Sequence, residues 1–237
     1  MKNTALFRIG HWTYFELGWL IIFLSIATFI TIFSEDSLLN YSVLISGIFC
    51  VVLAAKGNLW TYGFGMYNSL AYAYVAYING LFGEMGLNLF FFVPMNIVGF
   101  LAWRKRMQGS IVQMQGLPLS WQLGLALGCV LGILGLGWSL SLISGQQTPY
   151  IDATTNVLSV MATFLMVARY KEQWLLYIML NIVTVFLWTL RLREGSSDAL
   201  MMVVMWTAFL VNAGYGYYRW DQQVKRSVHE ESRVNAR

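Results

Sequence analysis

The 237-residue chain is 58% hydrophobic, 16% aromatic and 11% charged, with a formal net charge of +4, whereas an average soluble domain carries about 25% charged residues. So few charges exclude a water-soluble domain whose helices each keep a solvated face, and the scatter of Lys and Arg excludes a nucleic-acid surface. Cys50 and Cys129 both fall inside apolar runs, so they read as small buried hydrophobes and not as a disulfide or metal site.

Hydrocarbon offers no hydrogen bond to a free backbone amide, so apolar segments of about 17–25 residues cross it as helices. At the amino-terminal end, Phe7, Ile9, Trp12 and Phe15 lie among the polar residues of 1–16, a pattern of either an interfacial helix along the inner leaflet or a frayed tail with a few anchors. Trp12, Tyr14 and Glu16 precede the first long apolar run, predicting a retained first helix with no cleavable signal peptide. Nearly charge-free runs then cover 17–34, 37–55, 57–83, 85–103, 107–151, 153–168, 173–190 and 199–218. The expected fold class is all-α integral membrane with eight transmembrane helices. Residues 223–237 are polar and carry both charge signs, which predicts a solvated tail. Trp60, Trp103, Trp121, Trp138, Trp174 and Trp220 fall near span ends, where interfacial belts gather aromatic rings.

Positive charge marks the side that is not translocated. With the amino terminus inside, the inner segments carry Lys2 and Arg8, Lys56, Arg104 to Arg106, and Arg169 with Lys171. The tail adds Arg219, Lys225, Arg226, Arg233 and Arg237. Outer joints carry Glu35 and Asp36, Glu84, and Asp152; only Arg191 and Arg193 break the pattern, partly offset by Glu194 and Asp198. Both termini are therefore expected on the cytoplasmic side of a bacterial inner membrane.

Two triplets of spans, 37–106 and 148–222, can be laid over each other. Each middle span opens with Trp after a basic joint, Lys56-Gly57-Asn58-Leu59-Trp60 and Lys171-Glu172-Gln173-Trp174, and then places Asn68 or Asn181 near mid-depth. Each third span pairs Asn with Gly and a terminal Trp: Asn96, Gly99, Trp103 in one, and Asn212, Gly214, Gly216, Trp220 in the other. The triplets start four spans apart, so they enter the membrane in the same direction, as parallel transporter repeats do. The expected layout is an extra amino-terminal helix within 1–36, a three-helix repeat over 37–106 and a linker helix within 107–147. A second repeat over 148–222 and the tail 223–237 complete it. Gly124, Gly128 and Gly132 share one face of the linker span, which predicts close approach of another helix there.

Polar side chains at mid-bilayer are costly unless they face protein or a wet cavity, so they are site candidates. Here Asp152 and Asp198 sit at outer ends, Glu84 in a joint, and His11 and His229 outside the spans. No catalytic acid/base pair, metal cluster or phosphate-binding glycine loop is expected, and no cofactor. What remains is neutral hydrogen bonding beside rings. Trp174, Tyr177, Asn181, Thr184 and Trp188 follow steps of three and four along one helical face. Phe92, Asn96, Gly99 and Trp103 form a similar stripe; Tyr67 lies on another with Asn68 at its flank; Trp206 and Phe209 flank Asn212. An Asn carboxamide both donates and accepts, so it can pair doubly with a carboxamide or a nucleobase edge. The competing reading is structural: such an Asn can simply bridge two helices, at about 0.6 kcal/mol per bond. Likewise Trp60, Trp103 and Trp220 read as belt anchors, and Trp188 and Trp206 as either anchor or site wall.

Several of these residues carry a family resemblance. Pro149-Tyr150-Ile151-Asp152, Leu158-Ser159, the run Arg169 to Tyr177 and Asn181, together with Phe90-Phe91-Phe92, Asn96, Gly99 and Trp103, closely resemble the PnuC family of vitamin transporters. The resemblance spans roughly 40–220. It implies uptake of nicotinamide riboside by facilitated diffusion, a SWEET-like core of three plus one plus three spans, a homotrimer, and trapping of the solute by a cytoplasmic kinase. It also implies that Trp174, Tyr177 and Asn181 line the site, with Tyr177 standing where many relatives carry Trp. Related members carry thiamine, riboflavin or deoxynucleosides. The substrate-binding residues expected are thus Tyr67, Asn68, Asn96, Trp174, Tyr177, Asn181, Trp188, Trp206 and Asn212. An enzyme would need converging acids, histidines or metal ligands; a non-transporting scaffold would instead pack its Asn residues against other helices.

Overall fold

The computed structural model describes residues 8–9, 12–33, 38–78, 82–143, 148–194 and 199–235. Almost all of them are helical. In chain order the helices are α1 (Tyr14–Phe33), α2 (Leu38–Lys56), α3 (Thr61–Ile78), α4 (Phe82–Leu87), α5 (Val93–Arg104), α6 (Leu119–Ser141), α7 (Pro149–Val167), α8 (Gln173–Arg193) and α9 (Ala199–Asn235). Among the described residues, six stretches are long and apolar enough to cross a membrane: α1, α2, Glu84–Arg104, α6, α7 and α8. The uncharged run 57–83 contains α3, which carries five tyrosines, Asn68 and Ser69. The run 199–218 lies within α9.

The expected interfacial helix over 1–16 is corrected where it is described. Arg8–Ile9 (β1) pairs antiparallel with Trp12–Thr13 (β2), and helix begins only at Tyr14; residues 1–7, 10 and 11 lie outside the described set. The cause is a capping box: the Glu16 amide donates to Thr13 Oγ1 at 3.1 Å while the Thr13 amide donates to Glu16 Oε2 at 2.9 Å. That reciprocal pair satisfies two free amides and starts the helix at a defined residue.

A π-helical turn, Asn88–Phe92, links α4 to α5 and precedes Pro94. Proline lacks an amide proton and its ring clashes with the carbonyl four residues back, so a widened turn relieves both problems. At the other end of the chain, α9 runs unbroken to Asn235. The residues read as a solvated tail therefore continue the helix, with an Asp221–Lys225 pair of 2.6 Å one turn apart supporting it.

The chain divides into two compact units, one of Met1–Ala54 with Leu59–Ile97 and one of Ala55–Asn58 with Val98–Arg237. In the first, α3 packs along α4 and the π turn. In the second, α6 packs on α7, α7 on α8 and α8 on α9. The core of the second unit is Cys129, Leu158, Ala162, Leu165, Leu176 and Leu180. The glycine stripe of α6 is only partly used. A side chain at Gly124 or Gly128 would meet nothing, whereas Gly132 lies against Val157, and Gly137 lies directly on the ring of Tyr150. Close approach to α7 thus occurs at the carboxyl-terminal end of the stripe and one turn beyond it.

Candidate functional site

In the first unit the candidate polar groups are bonded to neighbouring helices. Asn68 donates from Nδ2 to the Val43 carbonyl at 2.7 Å and to Ser46 Oγ at 3.2 Å, both on α2. Tyr67 donates to Ser42 Oγ at 2.8 Å. Asn96 bonds back to the Phe92 carbonyl at 2.8 Å and to Ser69 Oγ at 3.4 Å. Thr61 donates to the Cys50 carbonyl at 2.8 Å, and Phe49 stacks on Phe64 with centroids 4.9 Å apart. These contacts join α2, α3 and α5 into one layer.

The second unit places Trp174, Tyr177, Asn181, Trp188, Trp206 and Asn212 on the adjacent helices α8 and α9. Trp174 is 3% exposed, Asn181 5% and Asn212 2%. Asn181 faces protein, and among the described residues its carboxamide makes no hydrogen bond. Thr184, one turn further, is buried and donates to the Leu180 carbonyl. The opposite side of α8 splits: Leu176 enters the core, while Met179 and Phe186 are exposed. The Trp174 and Tyr177 rings lie 6.0 Å apart at 54°. Trp206 stands edge-on to Phe209 at 5.6 Å, and the Arg191 guanidinium sits 5.0 Å over Trp188. Trp188 therefore has a charged cover at the far end of the stripe.

Trp103 and Trp220 are not belt anchors, as their positions near span ends led us to expect. Both are fully buried in a chain of rings: Trp103 to Trp220 is 5.8 Å, and Trp220 to Trp174 is 6.0 Å, edge-on at 77°. Two things draw them in. The Trp103 indole donates to the Met166 carbonyl at 2.9 Å, and Gly216 leaves the room that Trp174 fills, since a Cβ there would come within 2.6 Å of the indole. Trp60, Trp121 and Trp138, by contrast, are largely exposed, as belt residues are.

Below these rings the joint between α7 and α8 is laced to the segment 105–118. Met107–Gln108 (β3) pairs with Ile111–Val112 (β4), and the Val112 amide donates to the Gly57 carbonyl at 2.9 Å. Gln115 exchanges backbone bonds of 3.0 Å with Arg169 and Lys171, and its side chain donates to the Ala168 carbonyl. Arg169, at φ 66°, turns the chain and donates to the Gln113 carbonyl. Glu172 accepts from the Leu117 amide at 2.9 Å. Lys171 reaches Asp221 at 2.6 Å. Burial draws the Lys171 ammonium down, but the Asp221 hydrogen bond and charge outweigh it and hold it above the usual lysine range. Hydrogen bonds from Lys171 and then Lys225 hold the Asp221 carboxyl below the usual carboxylate range. Gln173, also fully buried in this joint, was not among the residues singled out from the sequence. Its place beside a basic joint reads as interfacial, and no sequence signal marks it otherwise.

Long apolar helices, one of them carrying an uncharged face of rings and carboxamides, define a multi-pass membrane protein. The profile of the nicotinamide mononucleotide transporter family matches residues 37–222, and the chain belongs to that family. It is 38% identical to the nicotinamide riboside transporter PnuC of Neisseria mucosa, over 92% of this chain and 84% of that one. It is 34% identical to the nicotinamide riboside transporter PnuC of Haemophilus influenzae, over 92% and 95% of the two chains. A crystal structure of the vitamin B3 transporter PnuC superposes with a TM-score of 0.76 at 37% identity, covering 92% of this chain and 95% of the other. Members of this family are transporters, not enzymes.

Proposed function

We propose that this chain imports nicotinamide riboside across the bacterial inner membrane by facilitated diffusion, with phosphorylation by a separate cytoplasmic kinase trapping the product. The names of the two relatives support the solute. The observation that carries the reading is the Trp174–Tyr177–Asn181 face, free of charge, with Trp174 and Asn181 buried and Tyr177 partly buried. The riboside is a pyridinium cation bearing a carboxamide and a pentose. Aromatic faces attract such a cation by about 0.5–2 kcal/mol each, and an Asn carboxamide matches the solute's own donor and acceptor. The working arrangement is eight spans, an amino-terminal helix plus two parallel triplets around a linker helix. Both termini are cytoplasmic and three copies assemble.

The family description raises a second solute, the mononucleotide. Its phosphate carries roughly −1.5 to −2 charge near neutral pH and calls for a free cation beside the rings. Arg191 already covers Trp188 and Lys171 is held by Asp221, both at ends of α8. The riboside therefore fits better. Purified protein in liposomes tests this. Labelled riboside should equilibrate to equal concentration on both sides, and excess unlabelled riboside should compete while mononucleotide, thiamine, riboflavin and thymidine do not. Preferential competition by any of those four overturns the solute, and accumulation above the outside concentration without a kinase overturns facilitated diffusion.

A further inference from the structure

We propose that Gln173 is a solute-binding residue, a second carboxamide that works on the same row of α8 as Tyr177 and Asn181; this rests on the riboside reading above. Gln173 is 0% exposed, yet neither its Nε2 nor its Oε1 meets a hydrogen-bonding partner among the described residues. The adjacent Trp174 indole nitrogen is buried and unpartnered in the same way. Buried amides are almost always bonded, and an unbonded one carries its full desolvation cost.

Loose local packing does not explain it. Four polar neighbours along the joint are bonded: Gln115 to Ala168, Arg169 to Gln113, Lys171 to Asp221, and Glu172 to Leu117. Trp103, stacked in the same ring cluster, also has its indole proton bonded. Among the described residues of this joint, Gln173 and Trp174 hold three N–H donors and one acceptor oxygen unpaired, at the start of the helix that carries Asn181.

The spacing gives them a role. Gln173, Tyr177 and Asn181 recur at intervals of four, so they follow one another along the helix, carboxamide, ring, carboxamide. The two carboxamides are separated by a rise of roughly 12 Å, at 1.5 Å per residue. With the pyridinium ring near Tyr177, one carboxamide meets each polar end of the riboside. A side-chain amide matches adjacent sugar hydroxyls or another carboxamide equally well, so the two ends of the solute are the two sources to separate.

The test is Gln173→Met, near in volume and without the amide, in full-length protein, with Gln173→Asn as the milder companion. Riboside affinity is titrated beside thermal unfolding. We expect Gln173→Met to bind nicotinamide riboside about tenfold more weakly while unfolding at or above the wild-type temperature, with Gln173→Asn weakened in the same direction. If the nicotinic acid riboside, which carries a carboxylate in place of the carboxamide, is weakened equally, Gln173 holds the sugar. If only the carboxamide solute is weakened, it holds that group. Affinity within twofold of wild type in either variant, with unfolding raised, overturns the assignment and leaves Gln173 an unsatisfied packing residue. Wild-type protein that binds no riboside overturns the function itself.

Discussion

The two units use the same chemical group in different ways. In the first, the carboxamide nitrogens of Asn68 and Asn96 donate to α2, to α3 and to the carbonyl of Phe92 four residues back. In the second, those of Asn181 and Gln173 are buried with no such bonds among the described residues. A carboxamide inside a membrane helix is thus not a site by identity. Its neighbours decide whether it braces one helix against another.

That contrast can be broken most forcefully at Gly216. Gly216→Leu drives a side chain into the Trp174 ring, and overpacking of this kind costs about 1–3 kcal/mol. Unfolding temperature and riboside affinity should both drop sharply. Gly214→Leu, where a side chain meets nothing, should leave both near wild type. Equal effects at the two glycines would remove Trp174 from its special position.

Next in size is a matched pair of substitutions. Asn181→Leu should reduce riboside uptake by at least about tenfold, equivalent to about 1.4 kcal/mol of binding, with thermal stability retained. Asn68→Leu should do the reverse, keeping uptake within about threefold while losing about 1 kcal/mol of stability from two interhelical bonds. Uptake measured in liposomes alongside thermal melts sharpens the comparison, and unchanged uptake in Asn181→Leu would take it out of the site.

Trp103→Phe retains the ring stack but loses the bond to the Met166 carbonyl. About 1 kcal/mol of stability should go, as for a typical hydrogen bond, with affinity unchanged within twofold. The smallest effect belongs to Asp221→Asn, which unpairs Lys171 and Lys225 for about 0.5 kcal/mol. The lowered Asp221 carboxyl stabilises fully above its ordinary range near pH 4 and loses that as pH falls through its folded value. The raised Lys171 ammonium stabilises fully below its ordinary range near pH 10 and loses that as pH rises further. Melting temperature differences between wild type and Asp221→Asn should therefore stay flat from about pH 5 to 9 and shrink only in acid or strong alkali.

Much of the architecture was readable in one dimension. The runs 37–55, 85–103 and 173–190 differ by no more than a few residues from Leu38–Lys56, Glu84–Arg104 and Gln173–Arg193. Thr13 and Glu16 even spell out the helix start, in a capping signal that the interfacial reading of 1–16 passed over. Trp103 and Trp220 were misplaced because proximity to a span end looks the same for a belt ring and a core ring. The difference lies in partners on other helices, the Met166 carbonyl of α7 for Trp103 and the Trp174 ring of α8 for Trp220. The α6 glycines failed similarly: spacing by four offers a close face, but only Val157 and Tyr150 of α7 determine where it is taken up.

By itself the order of residues determined where charge is tolerated, hence which stretches must be helices and which must be joints. Exclusion of charge from hydrocarbon acts on each stretch alone and needs no neighbour. Only the tertiary structure decided which polar groups are spent and which are held ready. A hydrogen bond needs a partner within about 3 Å, and partners such as Val43 for Asn68 or Met166 for Trp103 come from helices far along the chain.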